Sequence, residues 1–324
     1  MLYPLTFHPI FKERVWGGRN LERLYGKPLP PGVPIGESWE ISDRPGDVSV
    51  IANGPLAGRD LRWLMEHHEK ELLGSAGSQG GPFPLLIKIL DAQEKLSLQV
   101  HPPATVAAQL GGEPKTEMWY ITDAAPGAEL YVGLRRGVTR GQFERRIREG
   151  SVAECFHRLP VRAGDAMFLP SGRVHAIGAG LVIFEIQQNS DTTYRVFDWN
   201  RVGLDGQPRE LHVAQSLASI DFTDYEPSLI QSRASTEFSW SSRALVDDPL
   251  FEVSLRQLES PRVLATNRPV ALDVVGVLAG RLGVEAVDCR VELRPGDFCL
   301  LPACLEEVTF HAEVPTEFLQ ARPR

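Results

Sequence analysis

Residues 96–101 of this 324-residue chain read LSLQVH, an alternation of apolar and polar side chains. Successive side chains of a β-strand point to opposite faces. Leu96, Leu98 and Val100 are therefore expected to share the apolar face, and Ser97, Gln99 and His101 the polar face. Polar groups are costly to bury unless they are satisfied. We therefore predict that this polar face lines a wet, metal-binding interior of a β-barrel.

Two further segments supply side chains of the same chemistry. Residues 115–120 read KTEMWY, and strand alternation places Lys115 and Glu117 on one face. Residues 164–175 carry glycine, proline and glycine at intervals that predict a turn, a strand, a tight turn and a second strand that opens with His175. Three separate strands thus each contribute to one polar interior.

Gln99, His101, Glu117 and His175 together are similar to the two-part metal motif of cupins, with glutamine in the first position where many cupins have histidine. Two imidazoles, one carboxylate and one amide suit Zn²⁺ or another borderline divalent ion. A lone histidine in a β-protein is more often structural, but here each residue falls on a required position. We expect one metal per chain, and the other histidines lack such a pattern.

The rest of the chain is typical of a mainly β protein, because short apolar runs alternate with turn residues. A repeat strengthens this interpretation: residues 162–170 read RAGDAMFLP and residues 294–302 read RPGDFCLLP. We predict two cupin (jelly-roll) barrels. The second copy has Glu307 where the first has His175, so the second barrel is expected to be metal-free.

A few helices are expected to decorate the N-terminal barrel. Apolar spacing predicts one over residues 59–73, a capping box at Thr139 and Gln142 starts another, and a third is predicted near residues 210–219. The polar stretch 223–242 shows no strand pattern. We therefore predict a catalytic metal-binding domain over 1–235, with helical insertions, and a metal-free cupin-like β domain over 236–324.

Composition excludes several classes of function. The formal net charge is −8, so the chain offers no broad basic face to nucleic acid. No apolar run approaches the ~20 residues needed to span a bilayer, and we see no signal peptide, so we expect no membrane partner and a cytoplasmic location. The four scattered cysteines are expected to be reduced thiols. The oligomeric state is not indicated.

Several stretches resemble the type I mannose-6-phosphate isomerase (phosphomannose isomerase) family, and its short bacterial branch in particular. The match is specific over roughly residues 7–220 and looser toward the C-terminus. The stretches are 15–18 (VWGG), 36–40 (GESWE), 84–90 (PLLIKIL), 96–102 (LSLQVHP), 115–120 (KTEMWY), 170–176 (PSGRVHA) and 185–198 (EIQQNSDTTYRVFD).

The resemblance implies reversible interconversion of mannose 6-phosphate and fructose 6-phosphate, with one zinc per chain. It also implies that Gln99, His101, Glu117 and His175 bind the metal. The resemblance further implies a catalytic arginine at Arg195, active-site lysines at Lys88 and Lys115, and a polar pocket residue at Ser97.

Isomerisation of this kind moves a proton between C2 and C1 through a cis-enediolate, so it needs a group that stabilises the oxyanion and a general base. Three candidates for the base stay open: Glu185 with a raised pKa, Lys115 with a depressed pKa, and a metal-bound water. Arg195 is too basic to accept a proton and is expected to stabilise the enediolate or grip phosphate. Asp191 and Asp198 are expected to be loop or salt-bridge residues.

Two other functions use the same ligands: a cupin dioxygenase holding iron or copper, and a non-catalytic sugar-sensing cupin. A dioxygenase pocket needs no phosphate grip, whereas Lys88, Lys115 and Arg195 offer one. A sensor would carry a partner-binding module, which the sequence does not indicate. Both alternatives are therefore less favoured.

Overall fold

A computed structural model describes residues 1–74, 77, 80–237, 240–267 and 271–324. These residues fold mainly into β-strands, as predicted. The strands are β1 Ile10–Gly18, β2 Ile35–Ile41, β3 Asp43–Arg44, β4 Asp47–Val48, β5 Leu85–Ala92, β6 Leu98–Val100, β7 Glu117–Ala124, β8 Glu129–Leu134, β9 Phe156–Pro160, β10 Ala166–Leu169, β11 His175–Ile177, β12 Leu181–Gln188, β13 Tyr194–Phe197, β14 Ser235–Glu237, β15 Trp240–Asp247, β16 Phe251–Leu258, β17 Arg262–Asn267, β18 Asp273–Ala279, β19 Leu282–Ala286, β20 Cys289–Leu293, β21 Phe298–Leu301, β22 Glu307–Ala312 and β23 Thr316–Pro323.

Helices are few and lie in the N-terminal part. They are α1 Asn20–Tyr25, α2 Leu61–Leu73, α3 Ala104–Ala107, α4 Arg140–Arg148 and α5 Val213–Ser219, with short 3₁₀ turns at Ala108–Leu110 and Val152–Cys155. The three predicted helices correspond to α2, α4 and α5. The predicted capping box of α4 is present in full. Among the described helices, none is long and apolar enough to cross a membrane.

The first jelly roll is formed by two open sheets that face each other, with strand orders β1-β2-β5-β12-β7-β10 and β13-β6-β11-β8-β9. Apolar side chains such as Trp119, Ile121, Val132 and Ile183 fill the space between the sheets toward one end. The polar residues of the predicted metal site lie in the same interior.

The outer face of the second of these sheets is covered by α4, α5 and the turn at Val152–Cys155. Leu98 and Val100 pack into this outer cluster, as the strand alternation predicts. Leu96 instead packs inside the roll with Trp119. The prediction that Leu96 shares a face with Leu98 is therefore wrong, because the regular strand begins only at Leu98.

The second jelly roll repeats the arrangement with strand orders β14-β15-β16-β23-β18-β21 and β17-β22-β19-β20. The repeated segments form β10 in the first roll and β21 in the second. β10 pairs with β7, and β21 pairs with β18, each at the edge of a six-stranded sheet. The repeat read from the sequence thus marks equivalent strands of two related rolls.

The six-stranded sheets of the two rolls share one hydrophobic core. Ile87 and Phe184 of the first roll belong to the same buried cluster as Val274 and Leu319 of the second. Leu5 also pairs with Leu300 of β21 through two backbone hydrogen bonds of 2.9 and 2.8 Å. The rolls are therefore joined by apolar packing.

The polar stretch 223–242 differs from the expectation, since it contains β14 and the start of β15. Residues 238 and 239 of that stretch lie outside the described residues. The division into domains at residues 235 and 236 falls within β14 and stays a prediction.

Candidate metal centre and active site

Three buried side chains converge at one end of the first roll. His101 follows β6 directly, Glu117 opens β7 and His175 opens β11. Nε2 of His101 lies 3.4 Å from Glu117 Oε2, and Nε2 of His175 lies 3.5 Å from Glu117 Oε1. One ligand atom from each residue falls within 4.8 Å of the others, so the three can hold a single metal ion.

The second ring nitrogen of each histidine fixes its orientation. Nδ1 of His101 donates to the carbonyl oxygen of Thr192 at 2.8 Å, and Nδ1 of His175 donates to that of Arg173 at 2.9 Å. Both Nε2 atoms then present lone pairs to Glu117, the arrangement found around bound metals. Burial and the nearby Lys115 lower the pKa of His101 to about 3, so the ring is neutral.

The cluster has the donor atoms that a cation needs. His101 Nε2 and Glu117 Oε1 are buried without a hydrogen-bond partner among the described residues, and Glu117 Oε2 is in ion-pair contact with Lys115. Buried polar atoms are rarely left in this state unless a ligand or ion completes them. The residues present therefore fit a metal site.

Gln99 lies next to this cluster. In the register of the sheet it stands between His175 of β11 and Arg195 of β13. Its Nε2 is 3.3 Å from His175 Nε2, and its Oε1 accepts a hydrogen bond from Ser97 Oγ at 3.4 Å. The predicted fourth ligand is thus beside the other three.

Lys115 forms the link between the cluster and a cavity. Its Nζ lies 3.1 Å from Glu117 Oε2. Burial alone would lower the pKa of Lys115, but Glu117, Glu185 and Asp191 outweigh burial and raise it. These carboxylates work against the depressed pKa expected for Lys115 beside a cation, which stays a prediction. Burial likewise opposes ionisation of Glu117, but the Lys115 ammonium outweighs burial and holds the pKa of Glu117 below its usual value.

A cavity of about 610 Å³ opens beside the cluster. It is lined by most of the residues predicted for substrate binding and catalysis together with others of both charges: Ser97, Gln99, Lys88, Lys115, Glu185, Arg195, Arg14, Glu37, Asp191, Asp205 and Arg209, with Trp16, Leu96 and Trp119 among the apolar ones. The predicted site residues are thus brought together around one space of the size of a small ligand.

Glu185 and Lys88 face each other across adjacent strands of the cavity wall. The register of β12 sets Glu185 opposite Lys88 of β5 and Trp119 of β7. Glu185 Oε2 accepts a hydrogen bond from Trp119 Nε1 at 2.9 Å, and Oε1 lies 3.5 Å from Lys88 Nζ. Burial, with Glu117 as the next cause, raises the pKa of Glu185, as expected for a candidate base.

Arg195 reaches the cavity from β13. Its Nη1 donates to the carbonyl oxygen of Glu210 at 2.8 Å, and its backbone N–H donates to His212 Nδ1 at 3.2 Å. Its Nε is buried without a hydrogen-bond partner in the part of the chain that the structure describes. Asp198, expected to be a loop or salt-bridge residue, accepts hydrogen bonds from Arg201 and Arg209.

Comparison with known proteins assigns the family. Residues 5–126 match the catalytic domain of type I phosphomannose isomerase. The mannose-6-phosphate isomerase of Streptococcus mutans is 36% identical over 321 residues, which cover 97% of each chain. The chain belongs to the type I phosphomannose isomerase family.

Solved structures agree with this assignment. The crystal structure of mannose 6-phosphate isomerase from Bacillus subtilis superposes with a TM-score of 0.90 at 31% identity, covering 99% of each chain. A mannose 6-phosphate isomerase crystallised with zinc and yttrium has a TM-score of 0.75 at 17% identity, also over 99% of each chain, and shares the fold. The phosphomannose isomerase fold thus extends over both jelly rolls.

Some residues of this phosphomannose isomerase site were not predicted. Glu37 accepts hydrogen bonds from Trp39 Nε1 at 2.6 Å and Arg14 Nε at 2.8 Å, and it lies 3.9 Å from Lys88 Nζ. Both Arg14 and Glu37 fall in or beside stretches that carry the resemblance, but nothing local marks them as cavity residues. Their position depends on the pairing of β2 with β5.

Proposed function

We propose that this chain catalyses the reversible isomerisation of mannose 6-phosphate and fructose 6-phosphate. The observation that carries the proposal is a buried His101–Glu117–His175 cluster that contacts a cavity through Gln99 and Lys115, and the same cavity is lined by Lys88 and Arg195. The cluster supplies a place for a cation, and the cavity supplies fixed positive charge for a sugar phosphate. Membership of the family supports this substrate pair.

We further propose that the cluster holds one zinc ion, with Gln99 as the fourth ligand. The donor set is the kind that binds Zn²⁺, and the two neutral imidazoles need lose no proton to bind it. An amide ligates through oxygen, so Gln99 would bind the ion through Oε1. When bound, zinc supplies Lewis-acid chemistry that polarises sugar oxygens.

Glu185 is our choice for the general base that carries the proton between C2 and C1. It lines the cavity, and its raised pKa brings it closer to the working pH of a base than an ordinary carboxylate. Lys115 has a raised pKa and remains an ammonium ion, which suits it to bind an oxygen on which negative charge develops. Glu185 is thus the proposed general base, and Lys115 is proposed to bind the developing oxyanion.

Arg195, Lys88 and Ser97 are proposed to bind the substrate. The free Nε of Arg195 offers a donor for a phosphate or enediolate oxygen. Lys88 Nζ lies 3.5 to 3.9 Å from three carboxylates, so no single carboxylate holds it at hydrogen-bonding distance. Both cations are therefore held in position and still have hydrogen-bond donors available for a phosphate group that enters the cavity.

The test is an assay of fructose 6-phosphate formation from mannose 6-phosphate, on metal-stripped and on zinc-reconstituted protein. We expect activity only after reconstitution, with about one zinc per chain by elemental analysis. Reconstituted protein that binds zinc but forms no fructose 6-phosphate would contradict the isomerase proposal. Activity that persists in metal-stripped protein, or a stoichiometry near two, would contradict the zinc proposal. The cytoplasmic location stays a prediction.

A further inference from the structure

Each histidine of the cluster is oriented by a backbone carbonyl, and the two carbonyls differ greatly in their sequence separation from the histidine. His175 donates to the carbonyl of Arg173, which lies in the same turn and is held by two 2.8 Å hydrogen bonds to Asp224. His101 donates to the carbonyl of Thr192, 91 residues away. The orientation of His101 therefore depends on where the irregular segment 189–193 places Thr192.

That segment is held from inside the roll by Gln187. The Gln187 side chain is fully buried, and its Nε2 donates to the carbonyl oxygens of Gln188 at 2.8 Å and Ser190 at 2.6 Å. Ser190 Oγ in turn accepts the backbone N–H of Thr192 at 3.2 Å. A short chain of hydrogen bonds thus connects the Gln187 amide to the residue that orients His101.

The carbonyl oxygen of the Gln187 side chain, Oε1, is buried at a cost in stability. Gln187 stands opposite Glu117 in the pairing of β12 with β7, so it faces the interior beside the cluster. Its Oε1 is buried without a hydrogen-bond partner among the residues described. An unpaired buried acceptor is destabilising, so an apolar side chain would suit packing better unless the N–H donors have a role.

We propose that Gln187 is a positioning residue for His101. Its amide fixes the 189–193 segment so that the Thr192 carbonyl holds His101 Nε2 toward Glu117 and the zinc site. This inference rests on the proposed zinc site and assigns no contact with the substrate to Gln187. Its effect should appear first in zinc affinity, because a misplaced imidazole binds the metal less tightly.

The experiment measures the zinc dissociation constant of Gln187→Leu by competition with a chromophoric chelator. Loss of an outer partner of a metal-ligating histidine typically weakens metal binding about 10–100-fold, and we expect a change in that range. In a His101→Ala background, where there is no imidazole to orient, Gln187→Leu should change zinc affinity by less than about twofold. A merely structural role would weaken binding equally in both backgrounds.

Gln93→Leu is the control, since the Gln93 amide donates to Asp91 away from the cluster, and zinc affinity should not change. If Gln187→Leu does not fold, Ser190→Ala removes the hydroxyl that receives Thr192 N–H and should weaken zinc binding in the same way. Unchanged affinity in the folded variant, or equal weakening in both backgrounds, overturns the role of Gln187. Failure of the unmodified protein to bind zinc would instead overturn the proposed metal site.

Discussion

The two jelly rolls have equivalent strands but complete the end of their interiors differently. In the first roll, Leu169 of the repeat pairs with Glu117; in the second, Leu301 pairs with Asp273. Both carboxylates are buried. Glu117 faces the lone pairs of two histidines, whereas Asp273 accepts hydrogen bonds of 2.9 and 3.2 Å from Arg322.

This contrast indicates which feature suits a buried carboxylate to the proposed role of metal ligand. A buried carboxylate needs compensating charge, and a guanidinium of the same roll provides it for Asp273. Lys115 provides it for Glu117, but its ammonium lies at Oε2, which leaves Glu117 Oε1 and His101 Nε2 as buried acceptors without a hydrogen bond among the described residues. Glu307, the position equivalent to His175, is exposed and points no ligand into the second roll.

The largest expected effect tests the histidines. His101→Ala and His175→Ala should abolish isomerase activity, because each removes a metal ligand, while both apolar cores remain and the protein stays folded. Steady-state kinetics and circular dichroism measure the two properties. His311→Ala in the second roll is the matched control and should retain normal turnover. Substantial activity in either ligand variant would contradict the proposed site.

Arg195 comes next, since its donors face a region where negative charge develops. Removing one such donor typically costs about 10²–10³ in kcat, and we expect Arg195→Ala to fall in this range with normal zinc content. Arg195→Lys keeps the charge but loses the planar fork, so it should also be severely impaired. An Arg195→Lys enzyme within a few-fold of the unmodified one would rule out this role.

The charged interior of the first roll also predicts a particular sensitivity to acid. Burial opposes ionisation of Glu37, but Lys88, Arg14 and the Trp39 hydrogen bond outweigh it and lower the pKa of Glu37 from 4.5 to about 2. The folded state therefore favours the carboxylate. Its contribution, up to about 3 kcal/mol, is present above pH 4.5 and is lost as the pH falls toward 2.

Urea unfolding of Glu37→Gln across this pH window tests the sign. The difference in free energy of unfolding between the unmodified protein and the variant should be largest above pH 4.5 and shrink with acid. Glu66→Gln on the exposed face of α2 is the control and should show no such trend. A difference that stays constant with pH would show that Glu37 is not stabilised as an anion.

The smallest expected effect lies in the second roll. Arg322→Met removes two guanidinium hydrogen bonds from the buried Asp273, and we expect a loss of about 2 kcal/mol, less than for a fully buried pair because Arg322 is partly exposed. Zinc content and kcat should not change. Arg294→Met at an exposed position should stay within about 0.5 kcal/mol of the unmodified protein. A loss of zinc in Arg322→Met would break the distinction between the two rolls.

The predicted metal ligands could be recognised in the sequence because each depends on local periodicity. The period of two along a strand puts Gln99 and His101 on one face, and the turn spacing starts a strand at His175. The capping box of α4 is equally local, and the free cysteines agree with the expectation of reduced thiols. The repeat at β10 and β21 likewise needed only a comparison of two short segments.

What the sequence could not indicate depends on which strands become neighbours. It placed Leu96 on the wrong face and missed β14, because the ends of strands are set by pairing rather than by pattern. The His101–Thr192 hydrogen bond, the Glu37–Lys88 contact and the Asp273–Arg322 pair each join distant segments.

The fold class, the family and the donor atoms of the proposed metal site can thus be predicted from the sequence alone, since strand period and residue chemistry are local properties. The charges around that site depend on the tertiary structure. It sets Glu117, Glu185 and Asp191 close enough to Lys115 to raise its pKa, which favours Glu185 over Lys115 as the proposed base. Coulombic and desolvation effects depend on distances across the folded chain, and these exist only once the sheets have paired.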